Sequence, residues 1–100
     1  MRIVLHPEAE REFTAAALRY ERERAGLGGD FIAAVDHAVA ELRAHPHRWR
    51  VIKSDVRRGL LPRFPYAFYY WEKIAGEELE ILSISHSKRH PLHWASRHET

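Results

Sequence analysis

The sequence predicts an α+β protein with the order strand, helical hairpin and mainly antiparallel sheet. Up to residue 45 the apolar side chains recur at helical spacing, and beyond Pro46 they alternate with polar ones as in strands. A glycine-rich stretch at residues 26–29 divides the helical part into two helices. The chain has 100 residues, 45% of them hydrophobic, which predicts a single domain over residues 1–100.

The first two predicted elements are a strand over residues 2–5 and a helix over roughly residues 7–24. Pro7 suits the first position of a helix, because its missing N–H would have no partner there. The apolar residues at helical spacing are Ala9, Phe13, Ala16, Ala17 and Tyr20. The glutamates of this helix are predicted to lie on solvated faces, since no apolar pocket is present to raise a pKa. They are Glu8, Glu10, Glu12, Glu21 and Glu23.

A second helix is predicted to begin near Asp30 and to end at His45-Pro46. Its apolar stripe comprises Phe31, Val35, Ala38, Val39 and Leu42. Two amphipathic helices joined by a few residues form an antiparallel hairpin, which we expect to cover one face of the sheet.

Four strands are predicted in the second half of the chain. They are Trp49–Lys53, Val56–Phe64, Ala67–Lys73 and Leu79–Ser85. The last of them carries apolar residues on both faces at positions 81–84, which indicates a central strand that is covered on both sides.

Composition and charge limit the possible functions. The chain has no cysteine, which excludes disulfides, thiolate metal sites and a cysteine nucleophile and fits a reducing cytosol. The N-terminus has no apolar core of a signal peptide, so we expect a cytoplasmic protein without a membrane segment. Residues 1–45 carry six Lys/Arg against eight Asp/Glu, and residues 46–100 carry ten against six. This asymmetry predicts an anionic partner for the second half.

A three-histidine metal site is chemically possible at His86, His90 and His93, but the sequence disfavours it. Lys88 and Arg89 lie within the cluster and would repel a dication. We therefore predict no metal and no cofactor.

The same stretch contains the residue types of a metal-independent ribonuclease. His86 and His93 are candidates for the base and the acid, and Lys88 and Arg89 are candidates for stabilising phosphate charge. Histidines in a polar loop are more often structural or solvated, and this alternative is the favoured one.

Basic residues also precede an aromatic run, a combination that can bind nucleic acid through phosphate contacts and base stacking. The basic residues are Arg57, Arg58 and Arg63, and the run extends over residues 64–71. Strand alternation places Tyr66, Phe68 and Tyr70 on one face and Ala67, Tyr69 and Trp71 on the other. An ordinary aromatic core is therefore favoured over a stacking platform.

Four segments together resemble the RelE/ParE family of bacterial toxins from type II toxin–antitoxin modules. They are HPEAEREF, GGDFIAAVDHAVAELRAHPHRW, VRRGLLPRFPYAFYYW and ISHSKRHPLHWASR. The resemblance covers nearly the whole chain and implies that the helical hairpin packs on a curved, mainly antiparallel sheet. It also implies a cognate antitoxin, which wraps an acidic and apolar segment over the toxin.

The family divides into RelE-like nucleases, which cut messenger RNA on the ribosome, and ParE-like members, which inhibit DNA gyrase. Where the nucleases carry an arginine at the start of the third sheet strand, this chain has Tyr66-Ala67. Trp94 stands near the place of their catalytic tyrosine and has no acidic hydroxyl. The net charge of +2 is also modest for a ribosome-bound nuclease. These departures favour the ParE-like, plasmid-stabilisation branch and gyrase as the target.

The resemblance also suggests site residues for each branch. If the chain is a nuclease, the catalytic set is His86, Arg63, Arg89 and His93. If it acts by binding, the residues that contact target or antitoxin are Arg57, Arg58, Arg63, Lys88, Arg89 and Trp94, and His86 and Trp94 support the shape of this surface. A degenerate, non-toxic family member is a third alternative.

Overall fold

The computed structural model describes residues 1–98, so the last two residues of the predicted domain lie outside the described residues. The helices and strands are β1 (Arg2–Leu5), α1 (Pro7–Glu23), α2 (Leu27–Ala44), β2 (Arg50–Lys53), β3 (Val56–Leu60), β4 (Tyr66–Ile74) and β5 (Glu78–His86). A 3₁₀ turn at Ala95–Arg97 follows. The predicted α+β class and the order of the elements are confirmed.

The five strands form one sheet in the order β1-β5-β4-β3-β2. β1 pairs with β5 in parallel, and the other neighbours pair antiparallel. β1 covers β5 only as far as Ile81, whose carbonyl accepts the N–H of His6 at 2.9 Å. Beyond Ile81, β5 therefore has an edge that no strand within residues 1–98 covers, and its backbone groups need other partners.

The two helices pack on one face of the sheet and enclose the helix-facing core. Phe31 of α2 lies at its centre, with ring centroids 5.3 Å from Tyr20 of α1 and 5.1 Å from Tyr66 of β4. Phe68 and Tyr70 belong to the same cluster. Tilted and edge-to-face contacts of this kind add to the free energy of apolar burial.

The opposite face of the sheet is covered by residues 87–98, which we call the C-terminal segment. Its Trp94 completes the tail-facing core, whose other buried members are Val56, Ala67, Tyr69 and Leu82. Residues 78–85 of β5 are buried, so the prediction of a central strand covered on both sides is confirmed. The aromatic run of β4 contributes to both cores, which fits the structural interpretation of these rings.

α2 begins at Leu27, three residues before the predicted start at Asp30. The prediction that the glycine-rich stretch breaks the helical part is wrong for Gly28 and Gly29, which both lie within α2. A Cβ at Gly28 would stand 2.6 Å from the carbonyl oxygen of Ala17 in α1, so glycine allows the helices to approach closely. The Glu21 carboxylate accepts the N–H of Gly28 at 3.0 Å and caps the new helix.

β3 ends at Leu60 rather than at the predicted Phe64. The chain turns there, because Arg63 adopts a positive φ of 71° and the N–H of Leu61 donates to the carbonyl of Tyr66 at 2.9 Å. The other predicted helix and strand ends agree with the structure to within one residue. None of the helices in residues 1–98 combines the length and the apolar character that spanning a bilayer requires.

Candidate functional site

β3 directs its two predicted binding arginines to opposite faces of the sheet, because successive side chains of a strand alternate. Arg57 donates to the carbonyl of Trp49 at 2.7 Å and holds the loop before β2. Arg58 donates to the Tyr69 hydroxyl at 3.1 Å and to the carbonyl of Ser87 at 3.2 Å. Each guanidinium thus joins a loop or the C-terminal segment to the sheet.

Arg63 and Lys88 are more exposed than the arginines of β3. The Arg63 guanidinium lies 4.0 Å from the carboxylate of Asp30 near the start of α2, and Lys88 lies in the loop after β5. Since Arg57 and Arg58 face opposite sides, the predicted cations do not form one continuous surface. Their role in contacting target or antitoxin stays a prediction.

Glu12 of α1 lies at the centre of a network that the sequence interpretation missed. Its side chain is only 15% exposed and accepts Arg89 at 2.6 Å, Arg97 at 2.8 Å and the Ser83 hydroxyl at 2.9 Å. The expectation of a solvated helix face is therefore wrong for Glu12. The missed signal is its position three residues after Ala9, on the buried stripe of α1.

The Glu12–Arg97 pair also satisfies the uncovered edge of β5. The N–H of Ile84 donates to Glu12 at 3.2 Å, and the Arg97 guanidinium donates to the carbonyl of Leu82 at 3.0 Å. The pair thus supplies hydrogen bonds that a neighbouring strand would otherwise make to β5. Buried backbone N–H and C=O groups need such partners.

The Glu12 carboxylate stays ionised because its hydrogen bonds outweigh its burial. Burial alone raises its pKa, but the hydrogen bonds from Arg97 and Ser83 and the positive charge of Arg97 hold the pKa below its usual value. An ionised Glu12 balances one of the two guanidinium charges that contact it.

His93 joins the same network from the C-terminal segment. Its Nδ1 donates to the carbonyl of His90 at 2.7 Å, while Nε2 lies 2.7 Å from the Ser83 hydroxyl and 3.0 Å from that of Ser85. Burial lowers the pKa of His93, and the nearby Arg89 lowers it further. The neutral ring, protonated at Nδ1, accepts at Nε2 from the Ser85 hydroxyl, since the single proton of the Ser83 hydroxyl is donated to Glu12.

The two histidines of the predicted nuclease set contact different cores. The ring centroid of His86 lies 5.9 Å from that of Tyr66 in the helix-facing core, and His93 lies 5.5 Å from Tyr69 in the tail-facing core. His93 and Arg89 share the network around Glu12, whereas His86 takes no part in it. The structure therefore does not bring the candidate acid and base together.

Trp94 is only 1% exposed, and its indole N–H donates to the carbonyl of Pro91 at 2.7 Å. Its ring lies 5.9 Å from that of Tyr69. Such a residue supports the shape of the C-terminal segment, the second of the two roles that the sequence suggested for it. Direct contact of Trp94 with a partner stays a prediction.

His86, His90 and His93 are the three histidines for which the sequence left a metal site chemically possible. Within residues 1–98 there is no group of three or more His, Cys, Asp or Glu side chains that could hold a metal ion. The His93 nitrogens already contact a carbonyl and two hydroxyls.

No protein-family model matches the sequence, and no curated protein matches it. The structure is similar to a chain in the solved structure "Chromosomal ParDE TA system from P. aeruginosa". The TM-score is 0.61 at 18% sequence identity, and the match covers 86% of this chain and 95% of that chain. The chain therefore shares its fold with a chain of a ParDE system, and the fold implied by the resemblance to the RelE/ParE family is confirmed.

Proposed function

We propose that this chain is the toxin of a type II toxin–antitoxin module, that a cognate antitoxin neutralises it, and that it inhibits DNA gyrase in the cytoplasm as a single domain. The observation that carries the proposal is the fold shared with a chain of the ParDE system over 86% of the present chain. The motif resemblance to the RelE/ParE family supports it independently of the fold comparison.

The arrangement of the candidate catalytic residues favours gyrase over messenger RNA. General acid–base cleavage needs two proton-transfer groups within reach of one phosphate. His86 and His93 contact the helix-facing and the tail-facing cores respectively, and Arg89 is already paired with Glu12. A protein that acts by binding does not need these groups to converge.

The proposal is tested by expressing the chain without an antitoxin in a bacterial host and pulse-labelling DNA and protein synthesis in the same culture. We expect DNA synthesis to fall before protein synthesis. An immediate fall in protein synthesis would overturn the gyrase target and favour the RelE-like nuclease with His86, Arg63, Arg89 and His93. No effect on either process would favour the degenerate, non-toxic alternative.

A variant sharpens the same experiment. His86→Gln removes an exposed candidate base at the end of β5, and His90→Gln changes an exposed histidine of the loop that follows as the matched control. We expect both variants to stop DNA synthesis like the parent chain. Loss of toxicity in His86→Gln alone, in a folded protein, would contradict a mechanism based on binding.

A further inference from the structure

Arg19 of α1 is held in place by aromatic residues rather than by a carboxylate. Its guanidinium donates to the Tyr66 hydroxyl at 2.7 Å and lies 5.1 Å from the ring centroid of Tyr20 and 5.8 Å from that of Tyr66. Within residues 1–98 no carboxylate lies within salt-bridge distance of Arg19, in contrast to Arg89 with its partner Glu12. Aromatic groups therefore fix the direction of the Arg19 guanidinium, and its positive charge stays available to a partner outside the chain.

Tyr66 connects Arg19 to His86 at the end of the sheet. The edge-on contact between Tyr66 and His86 places this exposed ring beside the same tyrosine, 5.9 Å between centroids. The Nδ1 of His86 accepts the N–H of Lys88 at 3.1 Å, so in the neutral ring the proton is on Nε2, which is then a donor. Arg19 and His86 therefore both supply donors beside Tyr66.

We infer that Arg19, Tyr66 and His86 form a binding site for the carboxylates of an acidic peptide segment. A guanidinium offers paired N–H donors that match a carboxylate, and the buried Tyr66 hydroxyl fixes its direction in advance. The inference rests on the proposed function only for the identity of the partner, which is then the acidic segment of the antitoxin.

A nucleic acid is the less suitable occupant of this site. Single-stranded nucleic acids gain much of their affinity from bases that stack on aromatic faces. Tyr66 is only 5% exposed and Tyr20 only 9%, and both rings are enclosed in the helix-facing core. The site thus offers charge and hydrogen-bond donors without a free aromatic face.

The test measures binding of a short oligo-glutamate peptide to the purified chain at low ionic strength, with an oligouridylate of equal charge as the second probe. Arg19→Gln is compared with Arg22→Gln, which removes the same charge from an exposed position of the same helix. We expect Arg19→Gln to weaken peptide binding about tenfold, as for a lost charged hydrogen bond. Arg22→Gln should change it by less than about twofold.

Tyr66→Phe keeps all charges and removes the hydroxyl that orients Arg19, so a smaller loss of peptide affinity is expected. Equal losses in Arg19→Gln and Arg22→Gln would overturn the site, because net charge alone would then explain binding. An oligouridylate that binds more tightly with the same dependence on Arg19 would overturn the acidic peptide as its occupant. None of these measurements uses toxicity, so a chain that blocks DNA synthesis but lacks the Arg19 dependence would contradict only this inference.

Discussion

The two faces of the sheet are closed by different kinds of interaction. The helix-facing core consists of packed aromatic and aliphatic side chains, with Phe31 in contact with several rings. The tail-facing core has fewer buried apolar residues, and its cover is also held by the ionic network of Glu12, Arg89 and Arg97. One face of the sheet is thus covered mainly through burial of apolar surface, and the cover of the other face also depends on ion pairs.

The difference has an energetic consequence. Apolar burial stabilises without a charge to lose, whereas a buried ion pair contributes little net free energy and leaves an uncompensated charge when one partner is removed. We therefore expect the helix-facing core to respond to lost volume, and the C-terminal segment to respond to pH and to changes of a single carboxylate.

The largest effect is expected from Phe31→Ala in the helix-facing core. Phe31 is fully buried, so truncation should lower the free energy of unfolding by about 4 kcal/mol, measured by urea denaturation. The control Ile32→Ala changes the next residue, which is 41% exposed, and should cost under about 1 kcal/mol. Similar losses in both variants would mean that Phe31 is not at the centre of this core.

Glu12→Ala should have the next largest effect and acts on the opposite face. It removes the carboxylate that accepts the buried Arg97 guanidinium, and we expect a loss of about 3 kcal/mol in the free energy of unfolding. Glu10→Ala, on an exposed position of the same helix, is the control and should change it by less than about 0.5 kcal/mol. An unchanged free energy of unfolding in Glu12→Ala would contradict the claim that the ionic network helps to hold the C-terminal segment.

Gly59→Ala tests how tightly the helix-facing side is packed. A Cβ there would lie 2.2 Å from Cζ of Phe68 and 2.6 Å from Cδ1 of Trp49, so both rings would have to move. We expect this to lower the free energy of unfolding by about 2 kcal/mol, measured by thermal or urea denaturation. Gly29→Ala should be neutral or stabilise by about 0.5 kcal/mol, because within residues 1–98 a Cβ there would have no atom within 4 Å apart from its chain neighbours and its own helix backbone. An unchanged Gly59→Ala variant would indicate a looser interface.

The smallest expected effect is a loss of folding stability when the pH is lowered. It arises from His93 and Glu12 in the network on the tail-facing side. The pKa of His93 is lowered in the folded chain by burial, so the unfolded chain binds its proton first and stability falls as the pH drops below about 6.5. The pKa of Glu12 is also lowered, so its contribution is present above about pH 4.5 and is lost as the pH falls through the folded value.

Urea midpoints recorded across this pH range check both steps. In His93→Asn we expect a smaller loss of stability below about pH 6.5, and in Glu12→Gln a smaller loss below about pH 4.5. Phe31→Ala should keep both pH-dependent losses. Stability that rises on acidification between about pH 7 and pH 5 would contradict the direction of the His93 shift.

The order of elements was predictable because local rules determine it. Pro7 and the glutamates that follow it specify the start of α1, and the alternation of β4 specifies its two buried faces. The features that the sequence did not reveal depend on contacts distant in the chain. Glu12 meets residues more than 70 positions away, and Gly28 is explained only by its approach to α1.

The candidate site was predictable in its residue types and not in its geometry. The histidines and arginines of residues 86–97 are conspicuous in the sequence, but strand alternation and the turn after β5 determine that His86 contacts the helix-facing core and His93 the tail-facing core. The sequence assigned no role to Arg19, because its partner Tyr66 lies 47 positions further along the chain. A cation one position before the buried Tyr20 was the available signal.

The most direct test of the proposed function is a supercoiling assay with purified DNA gyrase, relaxed plasmid and increasing amounts of the purified chain. We predict that supercoiling is inhibited in proportion to the chain added, that the Phe31→Ala variant unfolded in mild urea has no effect, and that His86→Gln inhibits like the parent. Full gyrase activity in the presence of an excess of folded chain, which stops growth when expressed, would contradict gyrase as the target.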